Sequence, residues 1–149
     1  MKPTDGYWAH QYIGRPWIAG ARGPKSFDCW GLFLWVQGKH FGRELPLIPV
    51  DALSLRVVLK TFNEHPERKR WQRVSAPKHG DAVLMRQSRY PVHVGVWLDI
   101  DIDGGGVLHC AQNVGVVFQD LWALDRHGWR VEGFYAFRGE QCQAVMTVS

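Results

Sequence analysis

At Gly80 the apolar residues change period. Upstream they form a solid block (Trp30, Leu32, Phe33, Leu34, Trp35, Val36) and then fall at helical spacing (Leu55, Val58, Leu59, Phe62). Downstream they alternate with polar residues or glycine. Helices suit the first pattern and strands the second, so the chain reads as α+β, with helices first and an antiparallel sheet after. The block predicts a buried helix starting near Cys29 and ended by Gly38, since it is too apolar all round for a surface helix. The spaced set predicts a second helix over Asp51–Phe62 with Asp51 as N-cap. Five short strands are expected at Asp81–Met85, Val92–Leu98, Val107–Ala111, Val114–Phe118 and Glu132–Phe137, with one helical turn at Leu121–Arg126. The first 27 residues, rich in Gly, Pro and aromatics, read as ordered loop with at most a short helix near Tyr7 to Tyr12.

A chain of 149 residues is the size of one domain, and with 46% apolar and 21% charged residues it is no disordered tail. The expected unit is 1–149, with 1–13 an N-terminal extension and 139–149 a loose tail. A net charge of +4 weakly favours an anionic partner without choosing cell-wall polymer, nucleic acid or membrane surface. The basic stretch Arg68, Lys69, Arg70 and Arg73 has no second cluster or stacking platform beside it. It reads as a solvated loop, and no nucleic-acid partner is expected. No apolar run reaches the roughly 18 residues of a membrane span, so no membrane insertion is expected. Met1 to Gly20 lacks a basic start followed by an apolar stretch, so synthesis in the cytoplasm without a signal peptide is expected. Three cysteines, none in CxxC spacing, read as reduced thiols.

Alternation places Val92, Val94, Val96 and Leu98 on one face of their strand and His93, Gly95 and Trp97 on the other. The same rule sets His109 opposite Leu108 and Cys110, and Cys110 packs in the core. Cys29 falls at the start of the buried helix, where partial positive charge from free N–H groups lowers a thiol's pKa. A nearby imidazole would complete the activation, a second polar group would fix its tautomer, and the same N–H groups would hold an oxyanion. Cys29, His93 and His109 can supply these parts. On the residues alone other readings stay open: an inert buried cysteine with structural histidines, zinc held by the three, or Gln112 or Asn113 in place of His109. Asp99–Gly104 resembles the opening of a calcium loop, but the twelfth position is Cys110 and the segment joins two strands, so a hairpin turn fits better. Neither a metal nor a cofactor is expected. Trp35 reads as core, whereas Trp8, Trp17, Trp30 and Trp97 are candidates to line a groove.

The wording around these residues is similar to a known family. Phe27-Asp28-Cys29-Trp30-Gly31-Leu32, Gly80-Asp81-Ala82-Val83-Leu84-Met85, His93-Val94-Gly95-Val96-Trp97-Leu98 and Val107-Leu108-His109 resemble the NlpC family of cell-wall cysteine peptidases. Its members read Asp-Cys-Ser-Gly, Gly-Asp-Leu, His-Val-Gly-Ile-Tyr and a later His. The resemblance spans about Gly14 to Phe137. It implies a papain-like NlpC fold, N-terminal helices on a roughly five-stranded antiparallel sheet. It further implies hydrolysis of an amide in peptidoglycan stem peptides, typically between D-glutamate and diaminopimelate. Cys29 is then the nucleophile, His93 the base and later acid, His109 the orienting residue, and Trp17, Asp28 and Trp30 contact substrate. Trp17 stands where the family has a site tyrosine, so a hydroxyl role is lost there. Trp30 stands where many relatives have Ser, a form that resembles the phage-associated branch with its tail-assembly partners. An amidase, an acyltransferase and a tail-assembly component with a vestigial site are the rival readings.

Overall fold

The computed structural model describes residues 8–45, 70–87, 93–100 and 104–139. The helix expected over Asp51–Phe62, the middle of the acidic turn and nearly all of the expected tail lie outside these residues.

Helix α1 runs Cys29–Phe41 and begins where its first residues dictate. Asp28 has extended backbone (φ −96°, ψ −177°) and its carboxylate accepts the Gly31 N–H, an N-cap that satisfies one of the orphan donors of the first turn. Gly38 does not end the helix as expected. A glycine inside a helix costs only about 1 kcal/mol, and the chain continues to Gly42, whose φ of 65° lets its N–H close back on the Gln37 carbonyl.

Six strands follow: β1 Trp71–Val74, β2 Ala82–Arg86, β3 His93–Leu98, β4 Gly106–Ala111, β5 Gly115–Gln119 and β6 Arg130–Phe137. They form one antiparallel sheet in the order β1-β6-β2-β3-β4-β5, and helix α2, Leu121–Arg126, lies between β5 and β6. Five of the strands and α2 fall where alternation puts them. β1 is additional, because Trp71-Gln72-Arg73-Val74 is too short and polar to announce a strand. It sits at the sheet edge and pairs with β6 alone, Trp71 opposite Phe137 and Val74 opposite Phe134. The basic segment read as a loop therefore ends in an edge strand.

The sheet is covered on both sides. Val94, Val96, Leu98, Leu108 and Cys110 pack with Phe27, Leu32, Phe33 and Val36 from α1 and its approach. Val83, Met85, Trp97 and Val107 form a second cluster with Leu124 of α2, edged by Trp129, Val131 and Phe134. β3 and β4 are consequently buried along their whole length, the histidines included. The opposite-face reading of His93 and His109 holds, but that face is interior.

Candidate active site

Cys29 opens α1 on the sheet side and is 4% exposed. The backbone N–H groups of Val94 and Trp30 act on its sulfur, favouring the thiolate against burial. Val94 follows His93 on β3, so the thiol lies against the strand that carries the histidine. Gly31 lets the Gly20–Arg22 loop lie against the start of α1, since a Cβ there would clash with the Ala21 carbonyl oxygen. The same approach brings Arg22 to Asp28, with the guanidinium 2.8 and 2.9 Å from the two carboxylate oxygens, and the Gly20 N–H adds a bond of 3.0 Å.

The two histidines meet directly. His93 Nε2 is 2.8 Å from His109 Nδ1, and His109 Nε2 is 2.8 Å from Gln119 Oε1. The Gln119 amide nitrogen lies 3.1 Å from Nδ1 of His127 in the exposed turn after α2. Trp129 closes the site from the α2 side: its indole stacks on His93 at 4.5 Å and 23° and meets His109 edge-on. His93 thus spends Nε2 on His109, leaving Nδ1 as its second nitrogen. Among the described residues no hydrogen bond joins the Cys29 sulfur to either imidazole.

Electrostatics reverse one expectation. Burial pushes the Cys29 thiol up to about 12, and the Asp28 charge adds to it, against the opposing pull of the Val94 and Trp30 N–H groups and of Arg22. The helix terminus does not win, because a thiolate loses more by leaving water than that partial charge returns. Burial, and then His109, hold His93 well below the ordinary histidine value. Burial also lowers His109 to about 4, against the Gln119 hydrogen bond. Thiol and imidazoles are therefore neutral at rest, the thiol within the α1-side cluster and the imidazoles against Trp129 on the α2 side. Among the described residues no group of three His, Cys, Asp or Glu is placed to hold a metal ion.

The other expected site residues fare differently. Asp28 is 1% exposed and its oxygens are taken by Gly31, Gly20 and Arg22, which makes it a cap and an ion-pair partner in this structure. Trp30 is also interior, stacked on Phe33 at 5.3 Å instead of lining a groove. Trp97 joins the second cluster. Trp17 is half-buried and bridges to Phe27, beside the entry to α1. Gln112 and Asn113 are exposed in the β4–β5 turn, away from the contact that His109 makes. The reading of the sequence missed Gln119, His127 and Trp129. No local signal marks Gln119: only the β4–β5 register, which pairs Val117 with His109, puts Gln119 on the same face two residues on.

A cysteine at a helix N-terminus, packed on an antiparallel sheet that carries a buried His–His pair, is the residue set that the NlpC resemblance anticipated. A model of the NlpC/P60 family matches residues 14–130, and the chain belongs to that family. No curated protein sequence matches it. In fold it is similar to NlpC2 from Trichomonas vaginalis (TM-score 0.58, 16% identity), over 90% of this chain and 47% of that one. NlpC1 from the same organism gives 0.57 and 18%, over 90% and 44%. The NlpC/p60 domain of the peptidoglycan hydrolase SagA gives 0.54 and 22%, over 91% and 98%. The chain thus spans less than half the length of the two Trichomonas proteins and nearly all of the SagA domain.

Proposed function

We propose that this peptidase cuts an amide bond in peptidoglycan stem peptides, of the D-glutamyl–diaminopimelate type, through an acyl-enzyme on Cys29. The observation that carries the mechanism is Cys29 at the N-terminus of α1, packed on the sheet whose strand β3 carries a histidine braced by His109. Support for the substrate comes from the family and from similarity to a domain of a peptidoglycan hydrolase. The Asp28-Cys29-Trp30-Gly31 wording favours the phage-associated branch, acting on the wall as part of a particle.

In this mechanism thiol and base start neutral. As the sulfur attacks the substrate carbonyl, its proton passes to His93 Nδ1, and His93 Nε2–H holds to His109. The positive end of α1 faces the charge that grows on sulfur and on the carbonyl oxygen. Protonated His93 gives its proton to the departing amine, the C–N bond breaks, and the thioester remains. Water, deprotonated by His93, then attacks the thioester, releasing the acid and restoring the thiol.

Mass spectrometry of muropeptides incubated with the protein and with Cys29→Ala is the test. Cleavage between D-glutamate and diaminopimelate, absent from a variant with the parent's circular dichroism, is expected. A different Cys29-dependent cut, such as that of an amidase, would replace the bond and keep the mechanism. Muropeptides left intact by the parent protein would overturn the reading.

A further inference from the structure

The chain of contacts beyond His109 has a direction. An amide oxygen only accepts, so where Gln119 Oε1 meets His109 Nε2 at 2.8 Å the proton sits on the histidine. A neutral His109 protonated at Nε2 has a bare Nδ1, which accepts from His93 Nε2–H across 2.8 Å. A neutral His93 protonated at Nε2 carries its lone pair on Nδ1, the form that can take a proton from a thiol. Turning the amide over reverses every step. An N–H aimed at His109 Nε2 puts the proton on His109 Nδ1, hence on His93 Nδ1, where a base is needed.

The far side of the amide is also occupied. Gln119 Nε2 lies 3.1 Å from His127 Nδ1, which is 2.8 Å from the Ala123 carbonyl oxygen. A carbonyl oxygen only accepts, so His127 carries a proton on Nδ1 and donates it to Ala123; the contact to the Gln119 amide nitrogen does not fix the amide, whose sense is read from His109 alone. We propose that Gln119 is a positioning residue whose amide orientation sets the tautomers of His109 and His93. The catalytic consequence rests on the reading of His93 as the base for Cys29; the tautomer assignment does not.

Two full-length variants test this, Gln119→Met and Gln119→Glu, with ring-nitrogen NMR of 15N-histidine-labelled protein at neutral pH and steady-state cleavage of muropeptides. The parent is expected to show protons on Nε2 of His93 and His109. Gln119→Met should mix the tautomers of both rings and lower kcat by about 10²-fold at unchanged KM. Gln119→Glu, whose carboxylate only accepts, should keep both tautomers and most of kcat. By favouring the charged imidazole it should also move the acid limb of the pH profile upward. Nδ1 protons on His93 in the parent, or tautomers and kcat unmoved in Gln119→Met, would overturn the proposal. So would mixed tautomers in Gln119→Glu. Should the parent cleave no muropeptide, the NMR signals still decide the role of Gln119, and only the peptidase reading falls.

Discussion

Burial sets the charge of Cys29 and His93 in the same way, penalising thiolate and imidazolium alike, so the site stores no ion pair before substrate arrives. Part of this was legible in the residues: alternation alone puts His93 and His109 on one face. The direction of the thiol's shift was not, because a helix N-terminus is visible in a sequence and the second layer over the sheet is not. The buried histidines also tie stability to pH. Free in the unfolded chain, His109 titrates near 6.5; folded, it titrates near 4. As pH falls through that window the unfolded state takes up a proton the folded state refuses, so stability is whole above about 6.5 and declines below it. The expected loss by pH 4 is on the order of 3 kcal/mol for this group, with His93 adding in the same sense. Urea unfolding across pH 4 to 7 measures it, and the loss should shrink in a folded His109→Gln variant.

At the scale of elements, α1 shows which sequence signals are sufficient. A dense apolar run announced its start, and the Asp28 cap found in the structure explains why it begins there. Its end was misplaced because Gly38 and Gly42 look alike on paper, and only Gly42 takes the positive φ of a terminator. Asp28 belongs to this element as its N-cap. Asp28→Ala removes the cap to Gly31 and leaves Arg22 and Gly20 without their acceptor, at an expected cost of about 2–4 kcal/mol. Asp28→Asn retains an oxygen for Gly31 and should cost less. Urea midpoints of the two variants beside the parent check the ranking; equal midpoints for the alanine variant and the parent would remove the cap from the argument.

For the whole molecule, neither β1 nor the partners of His109 could be read locally. β1 is a strand only because β6 lies beside it, and Gln119 reaches His109 only through the β4–β5 register. Both are properties of strand order. In that order, among the described residues, the last strand separates the first from the second, since β6 runs between β1 and β2. A chain ending at Gly128 would lack β6 together with Trp129, the indole stacked on His93. It is expected to show no cooperative unfolding transition by circular dichroism and no activity. The ribosome completes Cys29, His93 and His109 well before it reaches this strand. A nascent chain thus carries every proposed reacting group before the strand that lies between β1 and β2 has been made.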